Sequence, residues 1–434
     1  MSEITAARMA INVRFDGSVM AVQRILRSAP FAFIAALLVA ELLVLLMTPR
    51  SGLLSPIPVS PQDWFSAAQL DRARSFSEPQ RWLAVAALIL KALVLAALVL
   101  RAPANLRGPY RHPIIVSGLV GAGISILIAV ALLPLGALMR ARSVNYGLDT
   151  ASWGQWGWDA ARAAAIAALI AGVATIVAIA LIRRFPRRWW VPASALIVLG
   201  GVLATFAGPL VIDPIFNRFT PLGPGATRTA VVDLAGRAGV KVGSVYVIDA
   251  SRRTSAANAY VNGIGSSKRV VLYDTLLTKF PPAQTRLVVA HELAHVHYRD
   301  ISHGLIFLLI VAPFGSWAAA RCLRVWGPRD GFPAGPSSVP ALTAAVVLVA
   351  FSITLISNQL SRAVEARADA YALSLTSDAP TFIAQQRRIA IQNLSDPQPP
   401  AALHWLFGTH PTTVERIGIG LAWERGERPD GTPR

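Results

Sequence analysis

Two histidines and a glutamate carry the clearest chemistry in this chain, in the segment His291-Glu292-Leu293-Ala294-His295. Residues four apart lie on one face of a helix, so His291 and His295 could bind one zinc ion while Glu292 acts as a general base. Six of the seven histidines lie beyond residue 290, which concentrates possible ligands there. The structural alternative is a pair of core histidines that hydrogen-bond within the fold.

A catalytic zinc needs a third protein ligand and an open position for water. The extended three-histidine pattern is excluded, because the chain has Tyr298 and Ile301 where that pattern needs glycine and histidine. Few carboxylates lie downstream, and Glu365 is the best placed of them. Asp369, one turn later, could orient a ligand histidine by a hydrogen bond to the ring nitrogen that does not bind zinc. The alternative for Glu365 is a solvated helix face.

The composition indicates that the candidate zinc-binding residues belong to a membrane protein. Of 434 residues, 54% are hydrophobic and 15% charged, against about 25% charged in ordinary globular chains. Seven apolar runs approach the roughly 20 residues that cross a bilayer, so we predict a multi-pass membrane protein with its termini on opposite sides. The runs lie near residues 31–48, 83–100, 113–138, 161–182, 189–212, 302–320 and 339–357.

Between the fifth and sixth runs the pattern changes to alternation and amphipathic periodicity. It predicts a helix over 225–238, three strands and a helix that opens at Pro281-Pro282 and runs to about Asp300. A polar, helix-rich tail, 358–425, follows the last run. The predicted strands are Val242–Ile248, Ala257–Ile264 and Arg269–Leu276.

We therefore predict a mainly α membrane protein of seven transmembrane helices with an α+β domain. The domain is formed by the loop between spans 5 and 6 together with the C-terminal tail. The predicted divisions are 1–212 (spans 1 to 5), 213–301 (first part of the catalytic domain), 302–357 (spans 6 and 7) and 358–434 (second part and tail).

Cysteine chemistry and nucleic-acid binding are both disfavoured. The single cysteine, Cys322, cannot close an internal disulfide or supply a multi-cysteine metal site. The net charge is +18, but the densest basic cluster, residues 183–190, lies between two apolar runs. That position is typical of a short loop with interfacial tryptophans.

Two charges lie inside predicted spans, Glu41 in the first and Lys91 in the second. The two helices run in opposite directions, and counting from the run ends places both residues at a similar depth. Intramembrane charges usually pair or mark a cavity. We expect Glu41 and Lys91 to form an ion pair or to line a wet chamber together.

Further motifs occur in a fixed order around the zinc-binding pattern. With them, the chain resembles the type I CAAX prenyl proteases, which are seven-span membrane zinc proteases. The resemblance extends over most of the chain. The matching segments are Tyr146-Gly147-Leu148 with Trp153, Asn217 to Leu222, Asn258-Ala259-Tyr260, His291 to His295, Asn358 with Ser361-Arg362, Glu365, Ala368-Asp369, His410-Pro411 and Glu415-Arg416.

The resemblance implies a gluzincin-type domain with one Zn²⁺ per chain and Glu365 as the third ligand. It implies that Asn358, Arg362 and Asp369 do not bind zinc themselves but position the residues that do. It also implies roles in substrate binding, since an extended peptide can add to an edge strand through main-chain hydrogen bonds. Those roles fall on Asn258, Ala259, Tyr260 and Arg416, with His410 touching the substrate near the zinc. From the sequence alone, the alternative for His410 is an ordinary turn residue before a helix.

The predicted function is hydrolysis of peptide bonds in membrane-associated or lipidated proteins or peptides. One alternative is a broad quality-control membrane zinc protease; another is a non-catalytic seven-helix receptor or transporter with a degenerate metal site. The expected location is a bacterial cell membrane. Arg-dense loops near 101–111 and 183–188 would place the catalytic domain outside, whereas the resemblance implies a cytoplasmic catalytic domain, which we adopt.

Overall fold

The computed structural model describes residues 28–101, 103–263, 268–328 and 334–429. Seven helices in these residues are long and apolar enough to cross a membrane, as predicted: α1, α3, α4, α5, α6, α11 and α12. The helices are α1 (Ala29–Met47), α2 (Pro61–Trp64), α3 (Ala67–Leu100), α4 (Pro113–Asn145), α5 (Trp153–Arg184), α6 (Trp190–Val211), α7 (Asp213–Phe216), α8 (Ala226–Arg237), α9 (Asp274–Lys279), α10 (Pro282–His297), α11 (Asp300–Trp326), α12 (Val339–Thr376), α13 (Ala379–Asn393), α14 (Ala401–Phe407) and α15 (Thr413–Glu424).

The last spanning helix, α12, is much longer than the bilayer requires. It has 38 residues, about twice the number that crosses the hydrocarbon core. The predicted span ends at residue 357, but the helix continues without a break to Thr376. Glu365 therefore lies about 12 Å beyond the predicted end of the span on the same helix.

Helix α1 packs against α11 and α12 through a stripe of small residues. Ala32, Ala36 and Ala40 are fully buried, and a spacing of four residues puts them on one face of the helix. In a bilayer, where apolar side chains gain little from leaving lipid, such small residues let helices approach closely. The small alanine side chains of α1 thus determine which of its faces packs against α11 and α12.

The predicted ion pair between Glu41 and Lys91 is not formed among the described residues. Helix α1 packs mainly on α11 and α12, whereas α3 packs on α4 and α12. Similar depth was the only basis for the pairing, and depth does not determine which helices are neighbours. The alternative, a shared wet chamber, stays a prediction.

A four-stranded sheet lies between the fifth and sixth spans, with β1 (Phe219–Pro221), β2 (Ser244–Ile248), β3 (Ala259–Asn262) and β4 (Arg269–Tyr273) in the order β1-β2-β4-β3. Strands β2 and β4 are parallel, and the two outer strands pair antiparallel to them. Strand β3 therefore lies at the edge of the sheet, and among the described residues it pairs only with β4.

The three predicted strands are present, although they are shorter than predicted. The chain turns into helix α9 after Tyr273, where the sequence predicted a strand to Leu276. Ile264, the predicted end of the second strand, lies outside the described residues. Strand β1 was not predicted, since three residues are too short for an alternating pattern to be recognised.

The polar segments on either side of spans 6 and 7 share hydrophobic cores. One core joins Val231 of α8 and Leu293 of α10 to Ala372 of α12. A second joins Leu54, in the segment after α1, to Ile417 of α15. The segment between α1 and α3 is therefore part of this domain, which its sequence did not indicate.

Alanine at Gly418 is expected to destabilise the protein by about 1–3 kcal/mol, because the added Cβ would collide with the backbone of Ile57. Ile57 also donates its N–H to the Gly418 carbonyl at 3.2 Å. Gly236, in α8, has open space around it, so Gly236→Ala is the matched control. Thermal denaturation in detergent measures both, and equal stabilities would refute the close contact.

The loop between α4 and α5 holds the segment that precedes β3. Ser255 donates its N–H to the Leu148 carbonyl at 3.0 Å, and Thr150 donates its N–H to the Arg253 carbonyl at 3.1 Å. Arg253 also pairs with Asp159 of α5 at 2.9 Å. These contacts connect the membrane helices to the entrance of the edge strand.

Candidate active site

Helix α10 carries the two histidines and the glutamate between them. Pro282 occupies its first turn, where the missing N–H of proline costs no helical hydrogen bond. The helix continues to His297, so His291 and His295 project from one face with ring centres 5.1 Å apart. The predicted relationship between the two imidazoles is present.

Glu365, on α12, meets both imidazoles. Its Oε2 lies 3.0 Å from His291 Nε2, and its Oε1 lies 3.7 Å from His295 Nε2. One ligand atom from each of the three residues falls within a 4.8 Å cluster. Ligands about 2.0–2.2 Å from zinc would have such separations, so the donor set fits a zinc ion.

Each imidazole is also held from behind by a carboxylate. Asp369 Oδ1 lies 2.9 Å from His291 Nδ1, and Asp300 Oδ2 lies 2.9 Å from His295 Nδ1. Such contacts fix the tautomer and ring orientation of a metal-binding histidine and raise its basicity. The structure thus places Asp369 where the sequence predicted it and adds Asp300.

Asp300 reaches His295 because the chain turns sharply between α10 and α11. Arg299 adopts the left-handed conformation with φ 56°, an uncommon conformation for a residue other than glycine. The sequence predicted one helix to about Asp300, but α10 ends at His297 and Asp300 begins α11. A carboxylate five residues after the second histidine was the only sequence signal for this contact.

The carboxylate of Asp369 is completely buried and is shared with Arg416. Arg416 donates from Nε to Asp369 Oδ2 at 2.7 Å and from Nη2 to Asp369 Oδ1 at 2.5 Å. Such bidentate pairs are strong and directional. The resemblance implied that Arg416 binds substrate, and this stays a prediction: Arg416 lines the cavity, and its guanidinium is also paired with Asp369.

The charges around His291 favour a cation. Burial alone would lower the pKa of His291, but its hydrogen bonds with Asp369 and Glu365 outweigh burial and raise the pKa to about 10. Three carboxylates, those of Glu365, Asp369 and Asp300, surround the two imidazoles. A positive charge, whether a proton or a metal ion, is therefore stabilised here.

Glu292 faces a cavity of about 630 Å³ that begins at His291 and extends along α13. Burial raises the pKa of the Glu292 carboxyl, which suits a group that must accept and then release a proton. The cavity has the size of a small-ligand or peptide site.

His410 lies on the same cavity, in the turn before α15. Its Nε2 is 3.3 Å from Glu365 Oε2, its Nδ1 is 2.9 Å from Thr409 Oγ1, and its side chain is 56% exposed. A histidine next to Glu365 and open to the cavity can reach a bound substrate.

Asn358 and Arg362 do not contact the ligands directly. Asn358 donates its amide to the Leu406 carbonyl at 2.7 Å, and Arg362 donates to the Gly408 carbonyl at 2.7 Å. These two residues, on the same helix as Glu365, anchor the end of α14 and hence the turn that carries His410. They support the site by positioning that turn.

The predicted substrate strand is near the cavity. Ala259 and Tyr260 belong to edge strand β3, and Asn258, immediately before it, lines the cavity. The Tyr260 hydroxyl donates to Asp213 at 3.0 Å, so its side chain is engaged within the protein. The free edge of β3 offers main-chain groups to an extended peptide.

Two family models match consecutive parts of the chain. Residues 225–419 match peptidase family M48, and residues 55–218 match the CAAX prenyl protease N-terminal region of five membrane helices. The chain belongs to peptidase family M48. As an M48 protein with seven apolar helices it is a multi-pass membrane metalloprotease, and the resemblance found in the sequence is confirmed.

Relatives of this M48 chain include an uncharacterized metalloprotease, YhfN, of Bacillus subtilis, 29% identical and aligned over 68% of this chain and 70% of that protein. A CAAX prenyl protease 1 homolog of Oryza sativa is 33% identical over 48% of this chain. The chain spans about half the length of the CAAX prenyl protease relatives it matches.

The crystal structure of Ste24p from S. mikatae has the same fold, with a TM-score of 0.71 at 20% identity, covering 90% of this chain and 98% of that one. The fold class predicted from the sequence is thereby confirmed. The comparisons give no support to a receptor, a transporter or a broad quality-control protease. The M48 match implies a metal site, and His291, His295 and Glu365 are the residues that could form it.

Proposed function

We propose that this chain is a membrane-embedded zinc endopeptidase that cleaves membrane-associated or lipidated proteins or peptides. The observation that carries the proposal is the meeting of His291, His295 and Glu365, with one ligand atom of each inside a 4.8 Å cluster. These three residues would hold one zinc ion per chain. The presence of Asp369 and Asp300 behind the histidines supports zinc binding.

Glu292 is the proton carrier of the reaction. The zinc, when bound, supplies Lewis acidity that activates water and polarises the scissile carbonyl. The Glu292 carboxylate takes a proton from the attacking water and delivers it to the leaving amine, which completes hydrolysis without leaving a charged amine anion. Its position on the cavity wall beside the two histidines supports this role.

The substrate binds as an added strand along β3, with Asn258, Ala259 and Tyr260 at the contact. Main-chain pairing holds an extended peptide whatever its side chains are. The free edge of β3 and the position of Asn258 on the cavity support this arrangement. The partners are thus a peptide or protein substrate and the lipid bilayer, with no nucleic acid.

His410→Phe is expected to lower the cleavage rate about a hundredfold with unchanged zinc content. The imidazole, 3.3 Å from Glu365, can donate to the oxyanion that develops on the scissile carbonyl, and phenylalanine cannot. His303→Phe, on an exposed position of α11, is the control. Equal cleavage rates for wild type and His410→Phe would show that His410 does not stabilise the oxyanion.

The function is tested by purifying the protein in detergent, measuring its metal content and incubating it with a pool of random-sequence peptides. We expect one zinc per chain and new peptide ends identified by mass spectrometry. Protein that contains zinc but produces no cleavage would contradict the enzymatic proposal. Cleavage by protein free of zinc would contradict the proposed metal.

The catalytic segments 213–301 and 358–434, joined by the segment between α1 and α3, form one domain on the cytoplasmic face of a bacterial cell membrane, and the remainder of 1–212 together with 302–357 contributes the spans. The shared cores of the polar segments support the division, and a relative from Bacillus subtilis supports a bacterial source. Reporter fusions after Pro186 and Glu427 test the orientation. A cytoplasmic reporter active only at Glu427 is expected, and the opposite pattern would reverse the topology.

A further inference from the structure

Helix α13 forms a wall of the catalytic cavity, and several of its buried polar atoms there have no partner in the described part of the chain. Gln385 and Gln386 both line the cavity and are each only 3% exposed. Among the described residues neither side chain makes a hydrogen bond; Gln385 Oε1 and Gln386 Nε2 are buried and unpaired. Asn393 Oδ1, two turns later on the same cavity, is also buried and unpaired.

The residues of α13 that line the cavity lie along one side of the helix. Residues three, four and seven apart share a helix face, so Gln386 and Asn393 flank the apolar pair Ile389 and Ala390, which also line the cavity. The result is an apolar patch between two polar ends. Ligand sites commonly have this composition, in which a few polar groups fix orientation.

Unpaired buried amides are unfavourable for folding. More than nine in ten buried polar groups in proteins have a partner, and an unpaired one loses its hydration without compensation. The neighbouring Gln392 shows the usual outcome, since its amide donates to the Ser255 carbonyl at 3.1 Å. Among the described residues Gln385 and Gln386 lack such a bond, and both line the catalytic cavity, where an incoming molecule could supply one.

We propose that Gln385 and Gln386 bind an amide group of the substrate and so set which part of a peptide lies in the catalytic cavity. Each carboxamide carries a donor and an acceptor, so the two side chains that line the cavity can together pair with both the N–H and the C=O of an amide. The inference rests on the proposed peptidase function and adds a subsite to it. Asn393 extends the same wall.

An amide group can come from the peptide main chain or from an asparagine or glutamine side chain. Binding is therefore measured with three labelled probes: a peptide of alternating alanine and valine, versions of it with one N-methylated peptide bond, and a version with one glutamine. The host is Glu292→Gln, which cannot turn the probes over, and fluorescence anisotropy reports the dissociation constant.

Adding Gln385→Met or Gln386→Met to this host should weaken peptide binding about tenfold, the effect of losing one hydrogen bond. Main-chain recognition predicts that N-methylation at one bond weakens binding to the host but not to the methionine variants. Side-chain recognition predicts that the glutamine probe binds more tightly only when both glutamines are present. When Gln385→Met or Gln386→Met is introduced into the otherwise wild-type protein, the KM for peptide cleavage should rise with little change in kcat.

Gln284→Met is the matched control, because Gln284 is 7% exposed and its Oε1 is also unpaired, but it does not line the cavity. All three methionine variants should keep their zinc and melt at or above the host's temperature, since each removes an unpaired buried group. Unchanged binding by the cavity variants would overturn the proposal. A lower melting temperature for the cavity variants alone would also overturn it, since it would mean a structural role.

Failure of the proposed function would look different. It would appear as missing zinc or as missing cleavage in the peptide-pool assay, whereas the binding measurement needs no turnover. Tenfold weaker binding in the cavity variants without any cleavage by wild type would keep the amide subsite and reject the peptidase.

Discussion

Glu292→Gln is expected to lower peptide cleavage by about 10⁴-fold while the protein keeps its metal. Glutamine has nearly the same shape as glutamate but cannot accept a proton from water, and general acid–base catalysis contributes about 10²–10⁴-fold. Glu292 is not among the residues whose atoms cluster as ligands. Metal analysis and cleavage rates on the same preparation provide the measurement.

The ligand variants should behave differently. His291→Ala, His295→Ala and Glu365→Ala each remove a donor from the three-residue set, so both metal and cleavage should be lost. Stoichiometric zinc in Glu365→Ala would exclude Glu365 as a ligand. Residual cleavage by Glu292→Gln near the wild-type rate would exclude Glu292 as the base.

Arg416→Met is expected to destabilise the protein by about 3–5 kcal/mol, because it leaves the Asp369 carboxylate buried without its partner. Asp369 is 0% exposed and receives two hydrogen bonds from Arg416. Arg425→Met, an exposed change just after α15, should have little effect. Thermal denaturation in detergent, followed by fluorescence of the 11 tryptophans, measures the loss.

The double variant Arg416→Met with Asp369→Asn distinguishes a stranded charge from lost packing. Removing both charges should recover much of the stability. Zinc affinity should nevertheless fall about 10–100-fold, because the asparagine no longer supports His291 as a carboxylate. Additive losses in the single and double variants would show that the two residues do not act as a pair.

The sequence predicted those features that have a long or strongly periodic pattern. Seven apolar runs appear at nearly the predicted places, because about 20 apolar residues are hard to accommodate elsewhere. The two histidines meet as predicted, since four-residue spacing on a helix fixes their geometry. The helix spacing also put Asp369 one turn beyond Glu365.

Features that depend on tertiary contacts were not predictable in the same way. Asp300 reaches His295 through a left-handed turn at Arg299, a conformation that no residue type at that position indicates. The pairing of Arg416 with Asp369 was not foreseen, because nothing local links two residues that are 47 positions apart in sequence. The Glu41 and Lys91 pairing failed for the same reason, since sequence gives depth but not neighbours.

Helix α12 continues without a break from the membrane into the catalytic domain. The length of its membrane span therefore determines where its polar residues lie in the active site. Asn358, Arg362, Glu365 and Asp369 follow one another at intervals of four, three and four residues, which keeps them within about 60° on one side of the helix. One residue inserted between 339 and 357 would rotate all four by about 100° and shift them by about 1.5 Å. A bilayer would tolerate such an insertion, but the proposed zinc ligand Glu365, the carboxylate of Asp369 and the anchors of the His410 turn would all lose their partners at once.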